Sequence, residues 1–231
     1  RVQAAWILVG ALDWARLILR EDARQGGADH LAEPWAVPLA PARLSTFLAA
    51  ERGEALAGDN SDTDQEAFLS GAIHDLQARL NVTNLLDGGK LHEPSLAAWA
   101  RLFKHLNLPE RELQGFSQSL VLASGPKTKG ATAEIKPLLP KSVSDLRWLG
   151  LSRTSLQALQ PFITLLPERT VVNLNTAAPE VLLASVVGLD MAQAQALVQA
   201  RAAQHMTTLM DADRLVNNPV IRFDGNEHGI A

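Results

Sequence analysis

The chain of 231 residues has no cysteine, no surplus of positive charge and no long apolar run. Without cysteine there is no disulfide framework, no thiolate nucleophile and no cysteine-held zinc or iron–sulfur site. The compartment stays open on that point, because a chain can avoid thiols in either redox environment. Lys plus Arg number 21 against 25 Asp plus Glu, a net charge of -4, which argues against a surface built to hold a phosphate backbone by charge. The early apolar stretch from Ala4 to Leu12 falls well short of the roughly 20 residues that a bilayer span needs, so the chain as it stands reads as soluble. It starts at Arg1 rather than at methionine, as a processed chain or a fragment would, and no signal peptide is left to read.

Catalytic signatures are lacking too. The histidines at 30, 74, 92, 105, 205 and 228 show no His-Glu-x-x-His spacing. His74-Asp75 reads as a polar pair on an element's edge. Gly125 and Gly130 have phosphate-loop spacing, but Ala131 stands where the lysine belongs, and Gly88-Gly89-Lys90 has no upstream glycine. No Gly-x-Ser-x-Gly elbow occurs. A hydrolase assembled from distant residues stays open, with a pocket of convergent perturbed groups as its signature.

What is present is material for a core, with 47% hydrophobic and 20% charged residues. At this mass about 70% of the unfolded surface can be buried, in one large domain or two small ones. Residues 1–25 carry Ile7, Leu8, Leu12, Trp14 and Ile18 in a wide apolar arc at helical period, before a Gln25-Gly26-Gly27 stop. Such an arc suits a helix laid along a sheet, or one on a membrane surface. Prolines at 34, 38 and 41 forbid a long helix, and Trp35, Val37 and Leu39 alternate as on an edge strand. Residues 51–65 read as an exposed loop, and 73–82 as a hairpin or a helix start. From residue 84 helices dominate, over 94–106 behind Pro94 and over 110–123.

A weak internal repeat follows. Leu149-Gly150-Leu151-Ser152 and Val187-Gly188-Leu189-Asp190 each join what read as two helices, with a glycine supplying positive φ. Thr176 is placed to cap the helix that Pro179 and Glu180 begin. The second unit is similar to the helix-hairpin-helix motif of DNA-binding proteins, in which glycine amides hold a phosphate. Here Asp190 puts a carboxylate where the second glycine belongs, and residues 141–204 are nearly neutral overall. A structural helix pair is the reading, and a DNA-binding protein the alternative. Two patches offer hard oxygen ligands of the kind calcium uses: Asp59, Asp62, Asp64 and Glu66 in the first, Asp224 and Glu227 in the second. Neither has the calcium-loop pattern. The tail after Asn217 is polar.

Taken together, Gly10-Ala11-Leu12-Asp13-Trp14-Ala15-Arg16 with Leu19, Glu33-Pro34-Trp35, Gly71-Ala72-Ile73-His74-Asp75-Leu76-Gln77-Ala78-Arg79-Leu80-Asn81 with Asn84-Leu85, and Leu166-Pro167 leading to Val172-Asn173-Leu174-Asn175-Thr176-Ala177 resemble the K-type minor pseudopilins of type II secretion. The resemblance implies an α+β fold. A pilin-like long N-terminal helix (1–25) packs on an antiparallel sheet (26–83), and a large inserted all-α domain (84–215) contains the helix-hairpin-helix, SAM-like unit. Residues 216–231 then return toward the sheet. It also implies a non-enzymatic periplasmic domain of an inner-membrane protein, placed at the pseudopilus tip to help start assembly. The expected partners are the I-type and J-type minor pseudopilins and the secretion machinery, with no nucleic acid. Membrane attachment belongs to an N-terminal segment absent from this chain, and closing strands are expected beyond its end. On this reading Ile7, Leu8, Leu12, Trp14 and Ile18 serve core and partner contacts together. No cofactor is implied for certain. Calcium accompanies the family without ligands that transfer to this sequence.

Overall fold

The computed structural model describes residues 2–43, 68–125 and 137–230. The chain divides into two units, Arg1–Gly27 with Leu31–His74, and Ala28–His30 with Asp75–Ala231.

In the first unit, helix α1 spans Val2–Gln25. It ends where Gly26 and Gly27 take φ of 66° and 133°, a conformation that L side chains resist. The edge strand expected around Trp35 is instead a 3-10 turn, Pro34–Ala36, because Pro34 presets the turn φ. Trp35 is buried there, and its ring Nε1 donates to Glu33 Oε2 at 2.8 Å. Strand β1 (Leu39–Arg43) pairs antiparallel with β2 (Phe68–Gly71). The register slips between Leu39 and Ala42, where Pro41 has no N–H to give the ladder. On β2, Leu69 is buried and Phe68 exposed, the alternation a one-sided ribbon requires.

The second unit is mainly helical. Strands β3 (Leu80–Asn81), β4 (Leu86–Asp87), β5 (Lys90–Leu91), β6 (Ile163–Thr164), β7 (Val172–Asn173) and β8 (His228–Gly229) are two residues each. β3 pairs parallel with β6 and β7 with β8, while β4–β5 is a hairpin. Its turn, Gly88-Gly89, holds φ of 56° and 81°, the mirror-image turn that matches strand twist. Helices α2 (Glu93–His105), α3 (Glu110–Ser124), α4 (Arg153–Leu159), α5 (Pro179–Ser185), α6 (Met191–Ala203) and α7 (Leu209–Val216) surround one core. At its centre Trp99 and Phe103 of α2 meet Phe116 of α3, with the Trp99 ring 5.5 Å from Phe116. α2 packs closely on α5.

Several expectations are corrected here. Residues 73–82 form neither hairpin nor helix start but a 3-10 turn at Leu76–Ala78 and then β3. The boundary expected at 83/84 falls at 74/75, because Asn81 and Asn84 are hydrogen-bonded into the helical unit. The tail closes on β7 within the helical unit, burying Ile221, Phe223 and His228, so polar composition concealed an apolar anchor. In the repeat, the element before Gly150 is 3-10 (Val143–Leu149) rather than α. The turns themselves match, with Gly150 and Gly188 at φ of 106° and 81° and Leu151 and Leu189 buried behind them.

Candidate functional site: an exposed helix face and a buried polar clamp

In the second unit, the motif residues converge on loops far away in sequence. Asn81 Oδ1 accepts from the amides of Thr83 (3.1 Å) and Leu166 (3.0 Å), and its Nδ2 donates to Glu168 O (2.7 Å) and Thr170 Oγ1 (3.1 Å). Asn84 takes the amide of Thr170 on Oδ1 at 3.0 Å and gives Nδ2 to the carbonyl of Thr170 at 2.6 Å, as a strand neighbour would. Only a short carboxamide offers donor and acceptor together at this reach. Both asparagines are buried, where each unpaired polar group would be costly.

A second set centres on Asp75. Its Oδ1 accepts from Gln77 N at 2.7 Å, and its Oδ2 accepts from Asn173 Nδ2 at 3.0 Å and Thr176 Oγ1 at 2.5 Å. Thr176 is therefore no helix cap. Ala178 holds that position without a side-chain bond, and α5 starts on Pro179. Asn175 exchanges both amide groups with Met206, Nδ2 to O and N to Oδ1, each at 2.9 Å, and Arg201 Nη1 donates to the carbonyl of Leu174. Burial lowers the Arg201 pKa to about 10. Arg101 places Nε on Ala184 O (2.7 Å) and Nη2 on Ser185 O (3.2 Å), a cation at the negative end of α5.

The clamp's polar atoms meet backbone groups and one another, as in Asp75 with Asn173 and Thr176. The adjoining cavity, lined by Asn81, Asn84, Ser95, Trp99 and Glu227, has about 20 Å³ of room, enough for one water. Beside it, a cluster with no signal in the sequence joins Arg169 Nη2 and His92 Nε2 to Glu227 Oε1, at 3.8 and 3.9 Å.

Of the expected oxygen ligands, Asp59, Asp62, Asp64 and Glu66 lie outside the described residues. Asp224 and Glu227 lie in the turn before β8. Asp224 Oδ1 accepts from Asn226 N and Nδ2 (2.9 and 3.0 Å), Glu227 Oε1 lies 3.8 Å from Arg169 Nη2, and among the described residues no acidic or histidine cluster includes either of them.

The helix pair α5–α6 bears on the DNA-binding alternative. Asp190 Oδ1 accepts the Gln193 amide at 2.8 Å, and Gln193 Oε1 accepts the Asp190 amide at 3.1 Å, a reciprocal capping box. The Asp190 amide, at the position of the motif's second glycine, is already bonded to the Gln193 carboxamide oxygen.

In the first unit, α1 turns apolar side chains outward. Leu8, Leu12 and Trp14 are exposed, as are Trp6 (71%) and Leu17 (61%), while Ile7 and Ile18 are half-buried. At 100° per residue these positions cover most of the helix circumference. A covered core helix was the expectation, and the described residues of this unit do not cover it. No described helix is long and apolar enough to cross a membrane.

The class that the fold and these surfaces define is an α+β chain of two units, one presenting an exposed apolar helix and the other closing its loops with polar side chains. Two family profiles described as "Type II secretion system (T2SS), protein K" match residues 78–168 and 172–222. The chain is 30% identical over 225 residues to type II secretion system protein K of Pseudomonas aeruginosa PAO1, across 88% of this chain and 62% of that protein's length. Its fold is similar to a chain in the crystal structure of the GspK-GspI-GspJ complex from the enterotoxigenic Escherichia coli type 2 secretion system. The TM-score is 0.62 and the identity 17%, over 94% of this chain and 75% of that one. The chain belongs to the type II secretion system protein K family.

Proposed function

We propose that this chain is the soluble part of a minor pseudopilin. In that role it sits at the tip of a periplasmic pseudopilus, binds I-type and J-type partners and helps to start assembly. The observation that carries this reading is the apolar surface of α1: Trp6, Leu8, Leu12 and Leu17 are exposed on one helix, and a helix apolar nearly all round is stable when other elements cover it. The similar E. coli chain was solved together with GspI and GspJ, which supports partners of the same two types here. Association by surface burial asks for no catalytic group and no cofactor. DNA binding is the weaker reading, since the α5–α6 turn is capped by Asp190.

Co-purification with the soluble domains of I-type and J-type subunits, with mass read by light scattering, tests the proposal. One copy of each in a single complex is the expected result. Leu12→Asp with Trp14→Asp is expected to abolish that complex while leaving the circular dichroism spectrum of the free chain unchanged. Complex formation that survives the double substitution would overturn the role of α1.

A further inference from the structure

We infer that Gly10, set between Trp6 and Trp14, is a notch in α1 that takes one large apolar side chain from the helix of a partner subunit. The inference rests on the partner reading proposed above and names the place on α1 where one of the two partners sits.

Two observations meet at this residue. Trp6, Gly10 and Trp14 follow one another at intervals of four, so they form one row along the helix, of the kind that makes a packing ridge. Both indoles are exposed, and so is Gly10 between them. The row is a ridge whose middle side chain is missing, with an indole one turn away on either side.

The glycine also has no use inside its own unit. It lies within α1 and lacks the positive φ found at Gly26 and Gly27. A Cβ built on it would meet no described atom within 4 Å. Glycine at such a position weakens a helix relative to alanine. Neither backbone conformation nor packing in the unit calls for it, and the space it leaves opens outward.

The rest of the circumference decides what fits. At about 100° per residue α1 carries four strips. Ile7, Ala11, Ala15 and Ile18 form a half-buried one. Roughly opposite runs a charged ridge of Asp13, Arg16 and Arg20, with Arg16 Nη1 on Asp13 Oδ1 at 2.7 Å. Between these lie two apolar sides, Leu8, Leu12 and Leu19 on one, Trp6, Trp14 and Leu17 with Gly10 on the other. The two sides point in nearly opposite directions, so a single helix does not cover both. The leucine side has the 4-3-4 spacing of a coiled-coil seam when Ala15 is included, and no gap. The notch side has the gap and no charge in its row. Asp13 is already paired, and among the described residues Arg20 has no carboxylate partner, so the neighbourhood is positive and disfavours a cation between the indoles. An aliphatic or aromatic side chain is the occupant that fits.

Isothermal titration calorimetry of the whole chain with each soluble partner domain in turn reads the notch. Gly10→Leu fills the gap with a better helix former, and the circular dichroism spectrum is expected to hold. The Kd for one partner is expected to rise about tenfold or more, with Gly10→Ala in between. The Kd for the other partner is expected to stay within about twofold, and Leu8→Ala to show the reverse preference. Loss of both partners alike, or of neither, in Gly10→Leu would overturn the notch while leaving the partner reading in place. Failure of the unsubstituted chain to bind either partner would remove that reading and this inference with it. A dimer of this chain that Gly10→Leu dissolves would give the notch to a second copy, and so overturn the partner as its occupant. Should Gly10→Leu fail to fold, Gly10→Ala decides: a stronger helix with a weaker complex supports the notch, and an unchanged Kd refutes it.

Discussion

On the 24-residue helix α1, Trp6, Leu12 and Leu17 face solvent, whereas on the 13-residue α2 of the other unit Trp99, Leu102 and Phe103 are at most 1% exposed. Both helices are rich in large apolar side chains, so composition does not separate them. α2 has α3 and α5 against it and a loop system fastened by asparagines, while α1 has the turn at Pro34–Ala36. One unit has used its apolar surface for its own fold, and the other keeps it available. That division of labour suits a subunit that must be stable before it is assembled.

The comparison is broken most severely by cutting into the covered side. Trp99→Ala is expected to cost about 3–5 kcal/mol in urea unfolding followed in the helical unit. Trp14→Ala should leave that transition in place and weaken only binding to partner subunits. Asn81→Ala comes next, at about 2–4 kcal/mol, because it strands the amides of Thr83 and Leu166 and the carbonyl of Glu168. Asp190→Ala removes a capping box and should cost about 1 kcal/mol. Measured retention on phosphocellulose should not rise with it, since the local charge stays close to balanced. The smallest effect is expected from Asp13→Asn, which breaks an exposed pair with Arg16 at 2.7 Å; thermal unfolding should not shift measurably.

Much of this was legible beforehand, for physical reasons that differ by region. α2 and α3 could be read because a proline or acidic start and 3.6-residue apolar spacing coincide with their limits, Glu93–His105 and Glu110–Ser124. The turns at Gly150 and Gly188 could be read because positive φ leaves few other residues to choose. The motif residues Asp75, Asn81 and Asn173 were visible as a pattern, yet their task was not, since each acts on a segment 85 or more residues away. The same holds for Thr176, whose local signal for capping lost to the half-buried Asp75 carboxylate. The anchoring of the tail was hidden because Ile221, Phe223 and His228 are too few to show a period. Exposure of α1 was unreadable for a simpler reason, as a wide apolar arc states that a helix must be covered but not by what.

The clamp also sets an order of events. Asn81 and Asn84 bind Leu166 and Thr170, and Asp75 binds Asn173 and Thr176, contacts separated by 85 to 101 residues along the chain. None can form until residue 166 has emerged, and the set is complete only at residue 176, whether from a ribosome or from a translocation pore, whereas α2 and α3 are close in sequence and need not wait. Contacts of such span slow folding at a given stability. The helical unit should therefore pass through a stage in which α2 and α3 are paired while β3 and the Asn81 side chain are still open. In that interval the chain depends most on protection from aggregation, with α1 already exposed and its own core unfinished.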